Sequence, residues 1–178
     1  MTRRYLFLLS SARPQGNALT LARAAAAPLP AKAQHWIDLT DPPLPAFLDL
    51  RPGFALPQGP LATILHAMRD ATEIILVAPI YWYALPAPAK LLMDHWSGWL
   101  DAPATGFAAW ARDKTLHLIT TRADPDPSVP DLTEAMVKRS ILWLGMGWGG
   151  ALHGIADAPG DISADHRAMQ TAAHFLPR

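Results

Sequence analysis

The chain has 178 residues, no cysteine, and 15 basic residues balanced by 15 acidic ones. This length suits a single domain over residues 1–178 with a core large enough to be stable. The neutral balance, without a long run of either sign, argues against a nucleic-acid or acidic-lipid partner. Because cysteine is absent, disulfides, thiolate catalysis and iron–sulfur clusters are excluded, and any redox chemistry needs a bound cofactor.

Other sequence features exclude further classes of protein. Two arginines near the N-terminus precede an apolar run of five residues, which is too short for a signal sequence or a membrane span. We therefore expect no membrane span and a cytoplasmic location. The seven histidines lack the spacing of zinc sites, so we expect no metal. Glycine-rich dinucleotide motifs and P-loops are also absent from the sequence.

Apolar runs of strand length alternate with amphipathic segments of helix length. Residues 5–9 are continuously apolar, which is typical of a central parallel strand buried on both faces. Residues 17–27 follow as an Ala- and Leu-rich helix that ends before Pro28, because proline cannot continue the helix. Residues 34–39 are more polar, as in an edge strand, and residues 42–60 form a loop with six prolines.

The rest of the chain repeats this alternation. We expect strands at residues 74–78, 115–121 and 148–156, and helices at residues 59–72, 87–100, 131–146 and 163–175. Asp131 and Thr133 are expected to cap their helix, and glycines 145, 147, 149 and 150 to stop it. Five strands, each followed by a helix or a helix-bearing loop, predict a right-handed, doubly wound α/β sheet.

The loop after the first strand has the composition of a phosphate site. It reads SSARPQGN over residues 10–17 and opens directly into a helix. Free N–H groups at a helix N-terminus, the Ser11 hydroxyl and the Arg13 guanidinium are all suited to one dianion. The alternative is an ordinary connection in which Asn17 caps the helix and Arg13 is solvated.

The loop after the strand at residues 74–78 is aromatic and rich in proline. It carries Tyr81, Trp82 and Tyr83, which either stack on a ligand or pack against the neighbouring helix. In a sheet of order 2-1-3-4-5, the loops after the first and third strands form one crevice. A phosphate cradle beside a stiff aromatic wall favours a mononucleotide with a large planar ring.

In these two loops the chain resembles the flavodoxin-like family of NAD(P)H-dependent FMN reductases and NAD(P)H:quinone oxidoreductases. SSARPQGNALTLA at residues 10–22 is similar to the family's phosphate loop, and PIYWYALPAPAKLLMDHW at residues 79–96 to its flavin loop and following helix. The resemblance implies a flavodoxin-like three-layer sandwich that binds FMN. It also implies that a hydride passes from NADPH or NADH through FMN to a quinone, a flavin or a similar small acceptor.

Carried over position by position, the resemblance also implies roles for individual residues. It assigns the phosphate to Ser11, Arg13 and Asn17 with the backbone amides of Ala18 and Leu19, the ring and ribityl chain to Pro79, Ile80, Tyr81, Trp82 and Tyr83, and a further ring contact to Thr121 and Arg122. No side chain is assigned acid–base catalysis. The family further implies a homodimer in which the second subunit completes the flavin crevice. In such a dimer we expect residues 42–60 to act as a lid or a dimer arm.

Two other functions are compatible with the same fold class. A flavodoxin-type electron carrier would hold FMN without its own turnover, but it needs a strongly acidic surface, and this chain is neutral. A phosphorylation receiver needs acidic residues after the first strand and an aspartate after the central one. This chain has Ser10, Ser11 and Pro79 at those places.

Overall fold

The computed structural model describes residues 2–178, which contain a five-stranded parallel sheet of order β2-β1-β3-β4-β5. The strands are β1 (Tyr5–Leu9), β2 (Gln34–Asp38), β3 (Glu73–Pro79), β4 (Thr115–Arg122) and β5 (Gly147–Ile155). All seven residues of β3 are buried, as expected of the middle strand of a sheet covered on both faces. The predicted α/β class and strand order are confirmed.

Helices cover both faces of the sheet. They are α1 (Asn17–Ala26), α2 (Gly59–Asp70), α3 (Ala87–Asp101), the short α4 (Phe107–Trp110), α5 (Asp131–Trp143) and α6 (His166–Phe175). Apolar residues of α1 and α6 pack on one face, and those of α2, α3 and α5 on the other, which gives the predicted three layers. None of the helices in residues 2–178 is both long and apolar enough to cross a membrane.

The predicted end of α5 and the role of its glycines need correction. The helix ends at Trp143, and Gly145 then adopts a left-handed φ of 79° that turns the chain. The other three glycines lie in β5 and do not stop the helix. At Gly149 a Cβ atom would lie 2.2 Å from the ring of His117 on β4, so this strand needs glycine to pack beside the histidine.

The predicted caps of α5 are also wrong. The N-cap is Pro130, and no side chain of the described residues caps the helix. Thr133 is buried, and its hydroxyl donates to the carbonyl oxygen of Tyr83, 2.8 Å away, in the loop after β3. Thr133, which was expected to cap its own helix, therefore forms a hydrogen bond to the loop after β3 instead.

The proline-rich segment after β2 packs along α3. We call residues 42–58 the arm. His95 Nε2 lies 2.8 Å from the carbonyl oxygen of Pro45, and Asp101 Oδ2 accepts from the backbone N–H groups of Gly53 and Phe54 at 2.9 and 3.2 Å. A Cβ at Gly98 would lie 2.6 Å from the Phe54 ring. Hydrogen bonds and close packing thus fix the arm to one helix.

Candidate functional site

A cleft of about 230 Å³ lies at the carboxyl ends of β1, β3 and β4. Its lining residues are Ser11, Arg13, Gly16, Asn17, Ala18, Pro79, Ile80, Tyr81, Thr121, Arg122, Ala123, Ala156 and Asp157. The cleft thus brings together nine of the twelve residues that the sequence singled out. Leu19, Trp82 and Tyr83 are outside this lining.

The loop between β1 and α1 forms a tight cradle. The Arg13 N–H donates to Ser11 Oγ at 3.1 Å, and Gln15 has a left-handed φ of 56°. Gly16 has an ordinary extended backbone, but a Cβ there would lie 3.1 Å from both Ser11 Oγ and the Arg13 carbonyl oxygen. The available space therefore favours glycine at this position, whereas the backbone angles would also allow other residues.

The first turn of α1 presents free donors to the cradle. No side chain of the described residues caps this helix, and the first helical bond runs from the Thr20 N–H to the Gly16 carbonyl oxygen at 3.2 Å. The N–H groups of Asn17, Ala18 and Leu19 therefore have no acceptor within residues 2–178. Free N–H groups at the positive end of a helix dipole favour an anion.

The Asn17 side chain links α1 to the loop between β5 and α6. Its Nδ2 donates to the Ala158 carbonyl oxygen at 2.9 Å, and its Oδ1 accepts from the Gly160 N–H at 2.9 Å. These bonds hold the loop between β5 and α6 near the cleft, and this loop supplies Ala156 and Asp157 to the lining. Sequence reasoning missed those two residues, although the carboxyl end of a fifth parallel strand was a usable signal.

Two guanidinium groups border the cleft in different environments. Arg13 is exposed, with one long hydrogen bond of 3.5 Å to the Asp157 carbonyl oxygen. Arg122 is only 6% exposed, its Nη2 lies 3.4 Å from the Pro125 carbonyl oxygen, and its Nε has no partner among the described residues. A buried cation without an ion pair is costly, and a bound anion or electron-rich ring edge would offset that cost.

The aromatic wall is a tight turn with an unusual backbone. Tyr81 and Ala84 exchange two backbone hydrogen bonds of 3.1 Å, while Trp82 and Tyr83 between them have φ values of 52° and 64°. Left-handed angles are rare for bulky residues and cluster at functional sites. Tyr81 lines the cleft, whereas Trp82 is 93% exposed.

This arrangement fits FMN on observations of the cleft itself. The cradle that a Cβ would fill and the free N–H groups of α1 suit the phosphate. The unpartnered Nε of Arg122 and the stiff turn, with prolines on both sides, suit a polar, planar ring. No acid–base pair of side chains is needed to hold such a ligand.

Comparisons with known proteins agree with this geometry. Residues 4–127 match the family model described as NADPH-dependent FMN reductase. Over 151 residues the chain is 30% identical to YwqN of Bacillus subtilis (strain 168), provisionally described as an NAD(P)H-dependent FMN-containing oxidoreductase, with 82% of each chain covered.

Two solved structures share the fold. The Trp repressor binding protein from Bacillus subtilis superposes with a TM-score of 0.81 at 23% identity, covering 98% of this chain and 99% of that one. The NAD(P)H:quinone oxidoreductase from Methanothermobacter marburgensis superposes with a TM-score of 0.66 at 16% identity, covering 97% of this chain and 94% of that one. With the family match and the cleft, these findings lead to one conclusion: the chain belongs to the NADPH-dependent FMN reductase family and is an oxidoreductase that uses FMN and NAD(P)H.

Proposed function

We propose that this protein uses NAD(P)H to reduce a quinone, a free flavin or a similar small acceptor at FMN bound in the cleft. The observation that carries the proposal is the meeting of an uncapped helix N-terminus and an aromatic turn across one cleft. Quinone and azo compounds are the acceptors named for proteins of the same fold. A planar acceptor of that kind would stack beside the same turn.

The phosphate would be held by the cradle. We assign the Ser11 hydroxyl and the Arg13 guanidinium to it, together with the backbone N–H groups of Asn17, Ala18 and Leu19. Both polar atoms of the Asn17 side chain already bond to the loop between β5 and α6, so its amide holds that loop and its backbone faces the phosphate.

The ring would lie between the ends of β3 and β4. FMN, when bound, supplies the ring that accepts a hydride from NAD(P)H and donates it to the acceptor. Pro79, Ile80, Tyr81 and Thr121 would orient the ring, and Arg122 would place positive potential beside it. Trp82 and Tyr83, outside the cleft lining, would form the wall against which the nicotinamide and then the acceptor stack.

An activity assay tests this proposal and separates it from the carrier alternative. Purified protein loaded with FMN should oxidise NADPH or NADH in the presence of a quinone or of free flavin. Failure to bind FMN in calorimetry would refute the proposal, and FMN binding without turnover would favour the carrier. Discrimination between NADPH and NADH comes from the same assay.

Replacement of Trp82 tests the stacking wall. We expect Trp82→Ala to raise the KM for NAD(P)H about fivefold, because a lost aromatic stacking pair costs about 1 kcal/mol. Trp82→Phe keeps an aromatic ring, so its KM should stay near the original value. Because Trp82 is almost fully exposed, its loss should leave the melting temperature nearly unchanged. An unchanged KM and kcat in Trp82→Ala would remove Trp82 from the site.

We further propose that the protein is a homodimer joined through α3 and α5. Leu132, Leu142 and Trp143 of α5 are exposed, and Trp143 retains 76% of its accessible surface. A groove of about 400 Å³ with several apolar side chains runs between α3 and α5. Large exposed apolar patches mark interaction surfaces.

The charges at this groove favour a second copy of the same chain. Lys90 and Asp94 on α3 form an exposed ion pair, and Arg139 lies across the groove on α5. Both signs of charge are therefore present for a two-fold, self-complementary contact. Trp143→Glu should shift the protein to monomers in sedimentation velocity. Thr171→Glu, at an exposed position of α6, is the control, and a monomer in the unmodified protein would refute the dimer.

The arm would extend the same interface. Leu48, Leu50 and Leu56 are exposed on it, although Asp101 and His95 of α3 hold its backbone. A fixed segment that presents three leucines is better suited to a protein contact than to repeated opening and closing. We therefore propose a dimer arm rather than a lid.

A further inference from the structure

We propose that Thr133 is a positioning residue that sets the aromatic turn at the mouth of the cleft, and that a partly buried hydrogen-bonded chain holds Thr133 in place. The inference rests on the proposed function, because it assigns that turn to the wall of the nicotinamide and acceptor site. The members of the chain are Glu134, His153 and Thr120.

The turn needs external support. Trp82 and Tyr83 both adopt left-handed φ values, each of which is unfavourable for a bulky L-residue and persists only where the surroundings impose it. Packing of the Trp82 side chain supplies little support, because that side chain is 93% exposed. The two bonds between Tyr81 and Ala84 close the turn but do not connect it to the rest of the protein.

Thr133 supplies this connection. Its hydroxyl donates to the Tyr83 carbonyl oxygen at 2.8 Å. Among residues 2–178 this is the one hydrogen bond from outside the turn to Trp82 or Tyr83. Thr133 is itself only 1% exposed, so its side chain has little freedom to move. The orientation of the turn therefore follows the position of the first turn of α5.

The next residue fixes that first turn of α5 to the sheet. Glu134 Oε2 lies 2.9 Å from His153 Nε2 on β5, and His153 Nδ1 lies 2.7 Å from Thr120 Oγ1 on β4. The Glu134 carboxylate can only accept, so His153 Nε2–H donates to it, and the Thr120 hydroxyl shares a hydrogen bond with Nδ1. This chain reaches β4 directly before Thr121, which also lines the cleft.

The geometry thus connects the aromatic turn and the end of β4 through α5. The Thr133 hydroxyl holds the aromatic turn by a hydrogen bond. Glu134 holds the first turn of α5, which carries Thr133, against β4 and β5. A shift of α5 would move the aromatic turn relative to the ring site proposed at the ends of β3 and β4. Side chains that do not line the cleft would in this way decide how well a planar ligand is gripped.

Thr133→Val tests the inference because it keeps the shape of the side chain and removes only the hydroxyl. Protein labelled with 5-fluorotryptophan reports the environment of Trp82 by 19F NMR without any cofactor, once its resonance is assigned with Trp82→Phe. We expect this resonance to shift or broaden in Thr133→Val and to be restored in Thr133→Ser. Thr171→Val is the matched control, since it removes a helical threonine hydroxyl whose one partner within residues 2–178 is the Arg167 carbonyl oxygen.

Enzyme kinetics supply the second readout. In Thr133→Val we expect the KM for the acceptor to rise about fivefold, the size expected for one lost hydrogen bond, with a smaller change in kcat. If the variant does not fold, Glu134→Ala tests the same connection from a side chain that is 35% exposed. It should perturb the Trp82 resonance as well, because it releases the turn of α5 that carries Thr133.

The outcomes separate this inference from the proposed function. An unchanged Trp82 resonance in Thr133→Val, or equal effects of the Val and Ser variants, would overturn the positioning role. Failure of the protein to bind FMN would refute the proposed function, while the 19F result would still decide whether Thr133 sets the turn.

Discussion

Gly16→Ala is the most specific perturbation of the cradle that the structure offers. The backbone at Gly16 has φ −72° and ψ 167°, which alanine adopts without strain. The added Cβ would lie 3.1 Å from Ser11 Oγ and from the Arg13 carbonyl oxygen, and ordinary contact begins near 3.4 Å. Both atoms would therefore have to retreat by about 0.3 Å, which moves them relative to the bound phosphate.

This displacement sets the expected magnitude. A hydrogen bond to a charged group is worth about 1.5–3 kcal/mol, and its misalignment should cost about 1.5 kcal/mol, or about tenfold in the Kd for FMN. The free energy of unfolding of the protein without cofactor should change by less than about 1 kcal/mol, because only the loop has to adjust.

Calorimetry with FMN and with riboflavin is the decisive assay. Riboflavin lacks the phosphate, so Gly16→Ala should raise the Kd for FMN about tenfold and leave the Kd for riboflavin unchanged. Gly147→Ala is the control, since its Cβ would also meet a hydroxyl at 3.1 Å, that of Thr115, but at the opposite end of the sheet. Equal losses for FMN and riboflavin would refute the placement of the phosphate in the cradle.

Other predictions address the surroundings of the cleft. Asp165 is partly buried, which alone raises its pKa, but bonds from the backbone N–H groups of Ala168 and Ile155 outweigh this and lower it. A lowered carboxyl pKa stabilises the fold above about pH 4, and this contribution is lost progressively as the pH falls. Asp165→Ala should therefore cost about 2 kcal/mol at pH 7 in urea unfolding, and the cost should shrink on acidification. A pH-independent cost would contradict the assignment. Gly98→Ala should displace the arm, because the added Cβ would overlap the Phe54 ring, and should lower the free energy of unfolding by about 1–3 kcal/mol. Faster proteolysis at the arm is the expected readout, and unchanged cleavage would contradict the prediction. Arg122→Gln removes the positive charge beside the ring, so it should lower the midpoint potential of bound FMN by about 30 mV, or about 1.4 kcal/mol for two electrons. Dye equilibration measures this potential, and an unchanged value would exclude an electrostatic role for Arg122.

The strand order and the meeting of two loops were predictable because they follow from local patterns. Continuous apolar runs at β1 and β3 identify buried parallel strands, and such strands bring their following loops to the same edge of the sheet. The helix N-terminus at Asn17 was predictable for the same reason, since the loop before it and the periodicity after it are both local.

The contacts that complete the cleft were not predictable, because they join distant parts of the chain. Asn17 bonds to residues 158 and 160, and Thr133 bonds to Tyr83, across separations that no periodicity records. The same holds for Gly149, whose lack of a side chain is explained by the ring of His117 on the adjacent strand and by nothing near it in sequence. Polar residues with a plausible local role can thus be used over long range.

The amide of Asn17 also has a consequence for synthesis of the protein. Its partners, the Ala158 carbonyl oxygen and the Gly160 N–H, follow it by 141 and 143 residues and therefore leave the ribosome much later. The nascent chain carries an unfinished cradle until the loop between β5 and α6 has emerged. FMN should be acquired only after that loop has folded against α1.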